Sequence, residues 1–439
     1  MFINNMAAIA LVMLLFFIFG CEKEAVYQNN TGKELVLSDD IYINTAPHSV
    51  TVEWAAIEGA DGYVLEIGEG TSLTTVLASS DTIQTTSYTF DNLEPQTDYT
   101  IQLRAISLKS PSETSQKVRR QFKTTALPFD ELVPDVIVAK DGSGDYVTVQ
   151  EAIDAAPTNS TSYYYVYIKK GEYKELIEIE QNKPNIYLIG EDKEETILTY
   201  DNHSGKPKPG GGTYGTADSR SVYVRGDNFA AQDITFANTA GMEAGQALAI
   251  YIASPTSAFV NCRFLGHQDT WYAHNETRQY MKDCYIEGSV DFMFGGSKTL
   301  FSNCQIHSNR GNSYVTAAST PEGQDFGYVF ENCRFTSNPL LSGVYLGRPW
   351  KPDAQVVLIN CDLGSHIHAE GWHNWGDPAN EATAYYAEYQ STGQGANTEY
   401  RVSWSHQLTD TEAARYTYEN MFGSWDPGFL AENTKIVLK

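Results

Sequence analysis

The first twenty residues contain no Asp, Glu, Lys or Arg, and residues 7–19 form one apolar run, "AAIALVMLLFFIF". A helix needs about 20 apolar residues to cross a bilayer, so a run this short excludes a stable span and reads as an export signal. Basic residues are also scarce: 30 Lys and Arg stand against 55 Asp and Glu, a net charge of −25. That balance excludes nucleic acid as a partner, because phosphate binding requires a cationic face. It also opposes any general attraction to a strongly anionic polymer. Cysteine is limited to six residues, with no CxxC and no HxxH spacing anywhere, so neither a thiolate nor an imidazole metal site is expected. Helical periodicity is nearly missing from the whole chain. Disorder is excluded by an apolar fraction of 42%, which suits packed structure.

What is present begins at Cys21. The tail "IFGC" resembles a lipoprotein cleavage site. The resemblance implies a signal over residues 1–20, a lipidated Cys21, a polar tether over 22–33 and a membrane-held or secreted protein outside the cytoplasm. On this reading the location is the bacterial cell envelope, as an outer-membrane lipoprotein. Residues 34–126 then alternate apolar and polar. "SVTVEWAAI" puts Val50, Val52 and Trp54 on one strand face, and "GYVLEI" and "YTIQLRAIS" repeat the pattern, which predicts an all-β sandwich. With Leu93 and Tyr99 at its corner, the segment resembles a fibronectin type III domain. Residues 127–134 read as a linker.

From residue 135 to 439 the rhythm changes. "NCRF" occurs at Asn261 and Asn332, with "DCYI" at Asp283, "NCQI" at Asn303 and "NCDL" at Asn360. The cysteines 262, 284, 304, 333 and 361 are 22, 20, 29 and 28 residues apart. One short strand per 20–30 residues, with almost no helix, is the signature of a solenoid, and a parallel β-helix is expected. Cysteines at one phase of each coil then stack inside as small apolar groups. Disulfides remain an alternative in an exported chain, although five cysteines is an odd number. The one helix, expected over residues 148–157, would cap the open end of the solenoid.

The repeat also accounts for a carboxylate in an apolar run, Asp291 in "SVDFMFGG". Asp269 lies seven residues after Cys262, and Asp291 seven after Cys284. Equal phase in consecutive coils brings them about 4.8 Å apart along the solenoid. Two carboxylates so close cannot both ionise easily, so one becomes a proton donor near neutrality. Gln246 and Gln268 supply neutral amide donors suited to an oxyanion. Arg348 in "YLGRPW" supplies a fixed cation to hold Asp291 ionised, and Trp350 offers a flat face for a sugar ring.

At these residues the chain resembles the pectin methylesterases, carbohydrate esterase family 8. The matches run in order: "AKDGSGDYVTVQEAIDAAP", "DITFANTAG", "GQA", "QDTWY", "YIEGSVDFMFG" and "YLGRPW". The resemblance implies a right-handed parallel β-helix that hydrolyses methyl esters of galacturonan. It implies Asp291 as nucleophile, Asp269 as acid and then base, Gln246 and Gln268 at the oxyanion, and Arg348 orienting Asp291. Trp350, Arg348, Trp271, Phe292 and Trp372 are expected to meet the sugar, and Trp375 either meets it or packs. No metal or cofactor is implied, and a monomer is expected. The Gly-rich segment 206–219 is expected to form a mobile cleft wall. His366, His368 and His373 alternate, but no acid or cysteine completes a metal set. Two other readings stay open: another β-helical pectin enzyme, a lyase or polygalacturonase, and a non-enzymatic carbohydrate-binding surface protein.

Overall fold

The computed structural model describes residues 41–73, 75–107, 117–125, 131–431 and 434–438. The apolar run, Cys21, the tether and residues 126–130 lie outside the described residues. The chain divides into two compact units, residues 1–128 and 129–439.

In the first unit, alternation of β-branched and aromatic residues produces two antiparallel sheets. One joins Ile41–Thr45, Ser49–Trp54 and Ser87–Asp91; the other joins Ala78–Ser79, Gly62–Glu69, Asp98–Ile106 and Val118–Lys123. Their inward residues form one core around Val52, Trp54, Tyr63, Leu65 and Ile101. Trp54 meets Tyr63 edge-on at 5.2 Å. The corner forms as expected: the Glu94 amide donates to the Tyr99 hydroxyl at 2.9 Å, and Leu93 is buried.

In the second unit, three parallel sheets of eleven, eight and seven strands run alongside one another among the described residues. Strands three apart in the chain pair in register, so each coil adds one strand to each wall. Trp271–Ala273, for example, pairs with Ile250–Ile252 on one side and Met293–Gly295 on the other. The "NC" repeat has a local cause. Asp233, Asn261, Asp283, Asn303, Asn332 and Asn360 all adopt φ between 52° and 56°. Asn and Asp tolerate this left-handed conformation better than other side chains, and it turns the chain from the eleven-stranded wall into the eight-stranded one. The residue that follows, Ile234 after Asp233 and a cysteine after each of the other five, points inward and is buried. Each Sγ donates to a carbonyl of the previous rung, as Cys333 does to Phe301 at 3.3 Å. No disulfide links these five cysteines. Burial pushes the thiols of Cys262, Cys284, Cys304 and Cys333 well above their usual range.

The expected helix is Val149–Ala155, with the Thr148 hydroxyl accepting the Glu151 amide at its start; two short helices that the sequence reading did not expect, Asp410–Ala413 and Tyr418–Phe422, follow the last rungs. Val149, Ala152 and Ile153 are buried against the first rung. The expected linker ends early. Glu131–Leu132 pairs with Lys435–Ile436, and Leu132, like Ile137, Tyr163 and Leu430, packs against the cluster of Tyr167, Tyr187, Ile189 and Ala230, because these apolar side chains find partners on the outside of the solenoid.

Two outcomes check this core. Phe301 is fully buried and stacks on Phe330 at 4.5 Å, so Phe301→Ala should destabilise the second unit by about 3–5 kcal/mol in denaturant titration. The five solenoid thiols should resist an aqueous thiol reagent in the native protein and react on unfolding.

Candidate active site

The seven-stranded wall carries the site. On its outer face, register stacks Tyr223, Tyr251, Tyr272 and Phe294 rung by rung, with ring centroids 4.6, 4.4 and 4.3 Å apart. Ala317 and Arg348 continue the same row. The two aspartates stand where the chain enters this wall. The Asp269 amide donates to Val290 O at 3.1 Å, and the Asp291 amide to Tyr314 O at 2.9 Å, so they occupy consecutive rungs. In an unbroken strand Asp269 would share the inward face with Trp271, two residues on. It does not, because Asp269 and Asp291 have φ of 65° and 48°. Each left-handed residue breaks the alternation and delivers its carboxyl to the outer side.

Both carboxyls open onto one cleft of about 360 Å³, shared with Gln246, Gln268, Arg348 and Trp350. Gln246 and Gln268 are adjacent across a parallel bridge. Just beyond it the Ala249 and Ile250 amides both reach Thr270 O, at 2.9 and 3.3 Å, a one-residue slip that re-aims the glutamines relative to the wall.

Arg348 holds Asp291 with two bonds: Nε donates to Oδ1 at 2.9 Å and Nη2 to Oδ2 at 2.6 Å. The guanidinium lies between two rings, 3.7 Å from the centroid of Tyr314 and 3.8 Å from that of Trp375. Bidentate pairing and stacking both need the planar fork of arginine. Burial pushes the carboxyl of Asp269 up to about 8, with the charge of Asp291 adding to the rise and Arg348 opposing it. Burial raises Asp291 as well, but there Arg348 opposes by a direct hydrogen bond and by its charge. The environment therefore separates the pair, with Asp269 the better proton holder.

Trp375 belongs to a segment fixed from behind. Trp372 is fully buried and its Nε1 donates to Glu388 Oε1 at 3.3 Å. Arg401 donates to both Glu388 oxygens, at 2.7 and 3.1 Å, and to the carbonyls of Ala369 and Gly395 at 2.9 and 2.7 Å.

Three expected sugar contacts are corrected. Trp271, Phe292 and Trp372 are each 0% exposed and belong to the solenoid core. Trp271 packs edge-on against Phe301 and Tyr328. Phe292 fills the space beside Gly288, where a Cβ would meet it at 2.1 Å. The aromatic residues on the cleft are Trp350 and Trp375, exposed by 41% and 38%, together with Tyr272 and Phe294. Strand alternation would have separated Trp271 (in) from Tyr272 (out). The Gly-rich segment supplies Thr216 and Ala217 to the cleft. His366 is buried and pushed down to about 4 by that burial. Among the described residues no group of three His, Cys, Asp or Glu side chains is placed to hold a metal.

The second unit is a β-solenoid that brings an aspartate pair and a fixed arginine into one cleft. The chain belongs to the pectinesterase family: the family model described as Pectinesterase matches residues 135–424, and a fibronectin type III model matches residues 40–121. Pectinesterase 31 of Arabidopsis thaliana is 42% identical over 293 residues, 65% of this chain and 91% of that protein. The solved pectin methylesterase from carrot aligns with a TM-score of 0.63 at 37% identity, covering 66% of this chain and 94% of that one. A pectin methylesterase solved in complex with a hexasaccharide aligns with a TM-score of 0.60 at 29% identity, covering 68% and 99%.

The backing of the site yields one expectation. Arg401→Met leaves Glu388 buried without its cation, which should cost about 3–5 kcal/mol, read as a lower melting transition of the second unit.

Proposed function

We propose that the second unit hydrolyses methyl esters of galacturonan, with Asp291 as nucleophile and Asp269 as acid and then base. The observation that carries this reading is the asymmetry of the pair. One carboxyl is clamped as an anion by Arg348, while its neighbour is raised to about 8 in the same cleft.

The Asp291 carboxylate attacks the ester carbonyl carbon. The carbonyl oxygen becomes an anion, to which the side-chain amides of Gln246 and Gln268 donate. As the bond to the methoxy oxygen breaks, Asp269 gives that oxygen its proton and methanol leaves. The galacturonyl group is then joined to Asp291 as a mixed carboxylic anhydride. Asp269, now ionised, takes a proton from water as the water attacks the acyl carbon. Breakage of the bond to Asp291 restores its carboxylate and releases the sugar acid. The ring faces of Trp350 and of the tyrosine row suit sugar rings lying along the wall. The amide pair and the clamped carboxylate favour acyl transfer over chain cleavage.

A methylated galacturonan has its acids masked, so a chain of net charge −25 does not repel it as it would the free acid. A polymer of this size is met outside the cell, which agrees with an export signal over residues 1–20. Lipidation of Cys21, with residues 22–33 as tether and the fibronectin-like unit as spacer, would hold the enzyme at a membrane. Cys21→Ser should then move the protein from the membrane fraction to the soluble one.

Asp291→Asn should lower methanol release from methylated pectin by roughly 10⁴-fold or more while binding of the polymer persists. Full turnover in that variant would end the esterase reading. The acid form of Asp269 is present below about pH 8 and is lost as pH rises through that value. The kcat/KM for methanol release should therefore fall on the alkaline side of about 8, and a flat alkaline profile would remove its acid role. Arg348→Lys removes the bidentate clamp, so Asp291 protonates more readily and the acidic limb should move to higher pH.

A further inference from the structure

We infer that the corner between the eleven- and eight-stranded walls carries a second, non-catalytic groove for galacturonan whose carboxyl groups are free. This deepens the esterase reading and rests on it, because such a polymer is the product of that reaction.

The corner holds a concavity of about 530 Å³, larger than the catalytic cleft and on a different wall. Three cations line it: Lys193, Arg263 and Arg334. Elsewhere in this unit Arg225, Arg348 and Arg401 are each tied to a carboxylate. Among the described residues Arg263 and Arg334 make no ion pair, and Arg263 lies over the ring of Tyr285 at 5.9 Å. Register places Arg263, Tyr285, Gln305 and Arg334 on successive rungs of the eight-stranded wall. Three rung intervals separate the two guanidiniums, roughly 14 Å along the axis. That is the span of a short run of sugars and not of a single small anion.

Between the cations stand the turn asparagines 261, 303 and 332. Asn261 and Asn303 each give one amide proton to an acid, Asp233 and Asp283, and the second amide proton and the Asn332 side chain remain to meet sugar hydroxyls. The two acids at the groove are Asp283 and Glu194. Asp283 is already engaged, accepting from the Asn303 amide at 2.5 Å. Lys193 donates to Asn261 Oδ1 at 2.7 Å. On a protein of net charge −25, an unpaired cationic strip is a place where a polyanion can lie against a surface that otherwise repels it. The two guanidiniums stand at the ends of this row, so one extended polyanion can meet both.

The test uses the full chain and the variant Arg263→Gln/Arg334→Gln, which keeps length and hydrogen bonding. Retention in gels containing polygalacturonate, and in gels containing fully methyl-esterified polymer, is compared with methanol release from a short methyl-esterified oligosaccharide. The variant should bind polygalacturonate about fivefold more weakly, as two part-exposed charge contacts supply. Retention on the esterified polymer and the kcat/KM on the oligosaccharide should be unchanged. Equal retention of variant and wild type on polygalacturonate, or an equal loss on both polymers, overturns the groove. Absence of methanol release from the wild type would instead overturn the esterase reading, and the retention comparison would still decide the groove.

Discussion

In-register pairing from rung to rung is the constraint on which the rest of this structure depends. A parallel ladder fixes its neighbours about 4.8 Å apart, so any side chain repeated at one phase of the coil becomes a row. Inward rows are the core: stacked cysteines, stacked Phe301 and Phe330. Outward rows are surfaces: the tyrosines of the seven-stranded wall and the asparagines at the corner. The aspartate pair of the cleft is the same device with acids in place of rings. Two carboxyls are brought together by periodicity.

Periodicity alone would have buried them. Both aspartates occupy positions whose strand neighbours face inward, and both escape through a left-handed backbone. A non-glycine residue there costs of order 1–3 kcal/mol, less for Asp, which tolerates the conformation. The surrounding ladder offsets that cost because the adjacent amides are already bonded to the next rung. Charge pairing and stacking are thus concentrated within a few residues of the solenoid. Arg348 and its two flanking rings then convert proximity into chemistry, since without a cation on one member the two acids would be nearly equivalent.

Much of this was legible in the sequence. The "NC" spacing gave the coil, equal offsets from Cys262 and Cys284 gave the paired acids, and "YLGRPW" gave the arginine. The sandwich was legible from alternation and from its Tyr99 corner. What failed was direction. Trp271, Phe292 and Trp372 are large aromatics beside site residues, and nearness in the chain suggested contact with sugar. Inside a strand, nearest neighbours face opposite ways, so Tyr272 beside Trp271, and Phe294 beside the buried Met293, needed separate assignment. The left-handed turns at 269 and 291 shift that alternation just where it mattered. Trp375 is set by a long-range arrangement, since its place over Arg348 depends on Trp372, Glu388 and Arg401, which no local pattern connects. The strand at 131–132 was missed for a similar reason: its partner is some three hundred residues away.

The five stacked cysteines have a consequence for where such a protein can be made and used. Small exported domains commonly depend on oxidative cross-links, and therefore on enzymes that install them and on surroundings that do not undo them. Here sulfur serves as packing material, and the described residues hold no covalent tie that a reductant could cut. Maturation of the solenoid needs no thiol oxidase, and its integrity is indifferent to whether the medium around it is aerobic or anoxic.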